Sequence, residues 1–232
     1  MAEHTSKQFD AELENVRSSV LQMGGLVEEQ ITRAMESLIA GDMELIDRVI
    51  ADDHRVNALE VGLDEMCSHI IARRQPAAGD LRLLIAVIKT ITDLERIGDE
   101  AAKIARMAKL IHSADRLNMP RMDLSRVADR ALAMLRQSLD AFARLDVSEA
   151  MQVVKQDQAV DDEFRAIMRQ LITFMMEDPR TITRSLEILF IAKAVERIGD
   201  HAKNMAEYVV YMVKGRDVRH VAIEQVEKEI LE

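Results

Sequence analysis

Glu95 and Asp99 stand four residues apart inside the run Glu95-Arg96-Ile97-Gly98-Asp99, and the same five residues return as Glu196-Arg197-Ile198-Gly199-Asp200. Residues four apart share one face of a helix, so each copy presents two carboxylates side by side. The question is which face. In the first copy Val87, Ile88 and Ile91 form an apolar stripe, and the next step at helical spacing is Glu95; in the second, Ile188, Leu189 and Ala192 lead to Glu196 in the same way. Both glutamates therefore continue an inward stripe, with each aspartate one turn further along, near its edge. A carboxylate aimed into a bundle requires a cation or hydrogen-bond donors to offset its desolvation. The glycine of each copy leaves room for a close neighbour.

The surrounding sequence repeats as well. Ala101-Ala102-Lys103 follows the first copy and His201-Ala202-Lys203 the second. A repeat displaced by nearly half of a 232-residue chain marks an internal duplication. The prolines punctuate it: Pro76 and Pro179 precede the two apolar runs, and Pro120 lies between the repeats, while Gly41-Asp42 and Leu145-Asp146 form a further matched pair of breaks. Between these breaks the pattern is helical. Val16, Val20, Met23, Val27, Ile31, Ala34 and Leu38 follow three/four spacing, as do Ala128, Leu132, Leu135, Leu139 and Phe142. The spacing predicts helices over 8–40, 43–75, 80–113, 121–145, 148–177 and 181–214. Short connections imply antiparallel neighbours. The expected fold is all-α: two tandem antiparallel three-helix bundles over 1–118 and 119–216, followed by a charged C-terminal helix over 217–232.

Antiparallel folding of these helices brings acids to one level. Asn57 and Glu60 precede the Pro76 turn by nearly as many residues as Glu95 and Asp99 follow it. Asp157 and Asp161 stand in the same relation to Asp200 across the Pro179 turn, with Asp53 and Asn57 as their counterparts. Glu28 and Glu29 should reach the level of Asn57 from the first helix. Inward carboxylates from several helices hold hard or borderline cations such as iron, manganese or magnesium; zinc is a further candidate, although it usually takes His or Cys. Acids four apart on a helix are commonly solvated, so a single pair makes no site; the duplication and the inward phase carry this reading. Arg96 is placed to pair with Glu100, and Arg197 stands near His201.

Composition narrows the functional classes. A net charge of −10 disfavours a nucleic-acid backbone and bare anionic lipid. Cys67 is alone and lies within a helical pattern, as a small buried thiol of a reducing compartment would. The start, Met1 to Gln8, lacks the apolar core of a signal peptide, and no apolar stretch approaches the ~18 residues of a membrane span. These features point to a cytoplasmic protein. None of the six histidines has a Glu three residues before it, so the Glu-x-x-His pattern of di-iron bundle enzymes is missing.

The two motifs, with Arg74-Gln75-Pro76-Ala77-Ala78-Gly79-Asp80-Leu81-Arg82 and Val56-Asn57-Ala58-Leu59-Glu60, strongly resemble the twin signatures of the PhoU family of phosphate-uptake regulators. The resemblance runs from about Phe9 to Lys214. It implies a non-enzymatic negative regulator of the phosphate-starvation response. Such a protein is an adaptor between the phosphate ABC transporter, through its ATPase subunit, and a phosphate-sensing histidine kinase. It implies recruitment to the inner membrane through protein partners, and homodimers. It also implies multinuclear iron or zinc at the Glu-x-x-x-Asp motifs. Carried over, Glu95, Asp99, Glu196 and Asp200 are the metal ligands, followed by Asn57, Glu60, Asp157 and Asp161. The Asn57/Asp161 difference makes the two sites unequal in charge. Competing readings are a carboxylate-bridged metal-dependent enzyme, which redox or hydrolytic turnover would reveal, and a helical adaptor that works without metal.

Overall fold

The computed structural model describes residues 7–113, 120, 122–219 and 221, which form six long helices. Helix α1 spans Lys7–Ala40, α2 Met43–Arg74 and α3 Ala78–Ser113; α4 spans Ser125–Arg144, α5 Val147–Glu177 and α6 Ile182–Lys214, the last two joined by a 3-10 turn at Pro179–Thr181. The breaks have local causes. Asp42 and Asp146 cap α2 and α5, each accepting hydrogen bonds from first-turn amides. Each cap follows a residue in the left-handed region, Gly41 at φ +70° and Leu145 at φ +54°. Gly41 has a second constraint: a Cβ there would stand 2.7 Å from the ring of His112, whose Nε2 donates to the Leu38 carbonyl at 2.7 Å. The first turn is thereby locked to the end of α3.

Two boundaries differ from the sequence expectation. Residues 122–124 are not helical; Asp123 accepts from the Ser125 amide, and α4 begins at Ser125 instead of 121. The charged terminal helix expected over 217–232 is absent over 217–219, where Asp217 bonds the backbone and guanidinium of Arg219 in a tight turn and Val218 packs into the core. That pairing holds the Asp217 carboxyl down to about 2. Residues 222–232 lie outside the described residues.

Helices α1, α2 and α3 pack mutually, as do α4, α5 and α6, which gives two antiparallel three-helix bundles. The bundles lie side by side through extensive α3–α6 contact and through α1–α4, leaving α2 and α5 on the outer flanks against helices of their own repeat. Central placement explains why α3 and α6 bury consecutive residues, Ala101 with Ala102 and Val209 with Val210: they are covered on more than one side. At α1–α4 a Cβ on Gly24 would meet the Leu139 side chain at 2.6 Å, so the glycine permits that approach. Cys67 is fully buried on α2, and burial pushes its thiol up to about 12, which makes it a packing residue.

Candidate functional site

In the first repeat α3 contributes Glu95 and Asp99, α2 contributes Asp53, Asn57 and Glu60, and α1 contributes Gln30. Burial raises the Glu95 carboxyl above its ordinary value, and the charges of Asp99, Glu60 and Asp53 push the same way against Arg96. Asp53 and Glu60 of α2 thus act on Glu95 of α3 through their charge, while among the described residues three carboxylates within ligand reach of one another occur only in the second repeat. Arg96 stands 3.5 Å from a carboxylate oxygen of both Glu95 and Asp99, not on Glu100.

The α1 contribution differs from expectation. Glu28 pairs with Arg136 and Glu29 with Arg33, and the next residue, Gln30, turns inward instead. Gln30 is 6% exposed; its Nε2 donates to Asp53 Oδ1 at 3.1 Å, while its Oε1 has no hydrogen-bond partner. Asn57 Oδ1 is likewise buried without a partner. A Cβ on Gly98 would lie 3.2 Å from Gln30 Oε1 and 3.5 Å from Asp53 Oδ1, so the missing side chain is what keeps this cradle open. A cavity of about 20 Å³ lined by Gln30, Val56 and Asp52, with Arg33 and Arg55 beside Asp52, adjoins it, enough for one water-sized species.

In the second repeat Asp157 and Asp161 of α5 and Asp200 of α6 each offer an oxygen within 4.8 Å of the others. Burial pushes the Asp200 carboxyl up to about 6, with the charges of Glu196, Asp157 and Asp161 adding to it. Counter-cations are close. Lys203 Nζ lies 2.7 Å from Asp157 Oδ2, and Arg165 lies 3.2 Å from Asp161 Oδ2. Lys193 Nζ donates to both oxygens of Glu196 at 2.5 Å, so Glu196 stands ion-paired beside the aspartate triad, close enough for its charge to act on Asp200. Lys193 also sits over the Phe164 ring, 5.3 Å from its centroid. Burial opposes the charge on Lys203, but the hydrogen bond it donates to Asp157 and the charges of Asp157, Glu207 and Asp200 outweigh it, so its pKa is raised.

Chemically, both clusters present oxygen donors alone, several of them like-charged. The first adds two amide oxygens, of Gln30 and Asn57, that have no hydrogen-bond partner among the described residues. Buried acceptors without partners are costly, and a hard cation satisfies such a set directly. The residues present fit such an ion.

The clusters are linked through residues the sequence did not reveal as partners. His201 Nδ1 donates to Asp93 Oδ1 at 2.6 Å, and Asn204 reaches the same oxygen at 3.3 Å. Arg197 crosses to Glu100 at 2.6 Å instead of staying by His201. Burial, then Asp93, holds the Tyr208 phenol above its usual range.

Known proteins resemble this arrangement over nearly its whole length. The PhoU domain matches residues 20–108 and 124–209. A phosphate-specific transport system accessory protein PhoU of Serratia marcescens is 51% identical over 227 residues, covering 97% of this chain and 92% of the relative. The PhoU homolog of Pseudomonas aeruginosa is 46% identical over 232 residues, covering 99% and 95%. Among solved structures, PhoU from Pseudomonas aeruginosa superposes with a TM-score of 0.86 at 47% identity, covering 90% of this chain and 100% of the other. The phosphate transport system regulatory protein PhoU from Streptococcus pneumoniae gives 0.80 at 29% identity, with 90% and 99% covered.

Proposed function

The chain belongs to the PhoU domain family, and from that premise we propose that it is a negative regulator of the phosphate-starvation response and a modulator of phosphate uptake. Its role is regulatory, not enzymatic. It acts as a metal-binding adaptor between the ATPase subunit of the phosphate ABC transporter and the phosphate-sensing histidine kinase. The observation that carries this reading is the near full-length match, at 46–51% identity, to relatives named as phosphate-specific transport system accessory proteins, with both repeats matched.

Metal is held at the two carboxylate clusters, by Glu95, Asp99, Asn57 and Glu60 in the first repeat and by Asp157, Asp161, Asp200 and Glu196 in the second. Multinuclear iron suits an acidic oxygen set; zinc, manganese and magnesium are the alternatives. Two supports are structural: the buried amide oxygens without partners, and the Asp157–Asp161–Asp200 spacing. The ion supplies positive charge that ties helices of one bundle together. The protein's own residues orient the oxygens and, through Gly98 in the first repeat, keep space for them.

Among the described residues no helix is long and apolar enough to cross a membrane. As a cytoplasmic homodimer, the protein reaches membrane complexes by protein contact. Ile182, Leu186 and Phe190 recur every four residues on α6 and remain exposed, as do Ile172 and Met176 on α5. An exposed apolar face of this kind supports docking on a protein partner. Deleting the gene is the direct test. Phosphate-starvation genes should stay active in high phosphate, and normal repression in a clean deletion rejects the regulator reading.

A further inference from the structure

The two repeats superpose in sequence, yet their clusters are balanced differently. In the first, Asp53, Glu60, Glu95 and Asp99 face one cationic side chain, Arg96, at 3.5 Å among the described residues. In the second, Asp157, Asp161, Glu196 and Asp200 face Lys193, Lys203 and Arg165, at 2.5, 2.7 and 3.2 Å. Three charges are unbalanced in one cluster and one in the other. Contacts of the twin glycines fix the correspondence: Gly98 faces Gln30 and Val56, while Gly199 faces Met134 and Val160. Carried along α3 and α6 by the repeated motif, Thr92 occupies the place of Lys193 and Ala102 that of Lys203. Carried along α2 and α5, Val61 occupies the place of Arg165. All three counter-cations belong to the second repeat alone. Conversely, the unpartnered amide oxygen of Gln30 belongs to the first, where the second has the thioether of Met134.

We propose that the clusters are unequal cation sites: the first repeat is the tighter divalent-cation site, and in the second Lys193 and Lys203 are tethered cations that an incoming metal must displace. This rests on the metal-binding reading above and deepens it. The reason is electrostatic competition at short range. An ammonium 2.7 Å from Asp157 already supplies the charge the metal would bring, and binding then exchanges one ion pair for another. In the first repeat, metal gains the attraction of several carboxylates and satisfies oxygens that otherwise have no partner. Lys203 and Lys193 are in this sense affinity-setting residues and not ligands.

The test uses the full chain, stripped with chelator and titrated with Mn²⁺ by equilibrium dialysis, with bound metal counted by mass spectrometry. Wild type should show a tight and a weak class. Asp53→Asn should remove the tight class. Lys193→Met with Lys203→Met should tighten the weak class at least tenfold and leave the tight one in place. The reciprocal variant Thr92→Lys lies at an exposed position, where folding is not at risk. It places an ammonium three residues before Glu95, as Lys193 precedes Glu196, and should weaken the tight class at least fivefold. It decides the matter if the double variant does not fold. Two equal classes insensitive to these lysines, or loss of the weak class in Asp53→Asn, would overturn the inference while the metal reading stands. Absence of Mn²⁺ binding in every variant would overturn both.

Discussion

Asp93 on α3 and His201 on α6 are joined by a hydrogen bond of 2.6 Å that crosses from one repeat to the other. Asp93 is buried, and Asn204 donates to the same carboxylate oxygen. This contact lies one residue from Asp200 on one side and two from Glu95 on the other, so it couples the helices that carry both clusters.

Replacing Asp93 with Ala should therefore loosen the repeats. The imidazole and the amide lose their acceptor inside the interface, at a cost of about 1–3 kcal/mol. For a domain of this size ~2–4 °C in melting temperature corresponds to each kcal/mol. Calorimetry should show that drop, with Asp93→Asn recovering part of it. An unchanged melting temperature in Asp93→Ala would remove the contact from any account of how the repeats are held.

The metal-free protein should be more stable near pH 5 than near pH 7.5. Burial and neighbouring carboxylates raise Asp200 to about 6 from 3.8, and Glu95 is raised in the same way. A raised carboxyl makes the folded state hold more protons between the two values, so stability falls as pH rises through that window and stays reduced above it. Asp217, Asp178 and Glu12 are lowered and act oppositely, losing stability as pH falls towards their folded values. Thermal melts in chelator across pH 4–8 test this; Asp200→Asn should flatten the upper limb. A monotonic rise in stability from pH 5 to 7.5 contradicts the assignment.

The twin glycines should respond differently to alanine. At Gly199 the new Cβ meets Val160 at 3.4 Å and Met134 at 3.8 Å, ordinary contacts. The helix-propensity gain of up to ~1 kcal/mol should then be realised. At Gly98 it meets Gln30 Oε1 at 3.2 Å, so the gain is offset by displacement of Gln30. Denaturant melts should rank Gly199→Ala above wild type, with Gly98→Ala near wild type and impaired in first-repeat metal binding. A Gly98→Ala protein that is both stabilised and fully metal-loaded would show that the cradle has more room than the structure gives it.

Phe190→Lys with Leu186→Lys should reduce co-sedimentation with membranes that contain the transporter or kinase. Both side chains are exposed, Phe190 by 50%, so the melting temperature should change by less than about 2 °C. Bare anionic vesicles should not retain the wild type. Equal retention on both membranes would mean lipid attachment in place of protein docking.

Much of this architecture was legible in the sequence because it is local. Helix phase followed from three/four spacing, and the breaks between helices followed from Gly41-Asp42 and Leu145-Asp146. The paired motif located Glu95, Asp99, Glu196 and Asp200 without any partner being known. The start of α4 was placed four residues early because an Asx-type turn at Asp123 competes with helix at a site where apolar periodicity is silent. The Lys193–Glu196 pair had a sequence signal, since three-residue spacing on a helix brings such groups together. Gln30 had none: an amide directly after two glutamates reads as a surface residue until the rotation of α1 is known.

The sequence by itself determined that this is a duplicated helical protein with an inward acid pair in each half, because duplication, phase and capping depend on residues within a few turns of one another. The tertiary structure decided which charges meet. Glu100 finds Arg197, Asp93 finds His201, and Asp157 finds Lys203, across separations of 97, 108 and 46 residues. Those pairings depend on the rotation and offset of one helix against another, set by the packing of buried side chains along the whole interface. No local spacing encodes them.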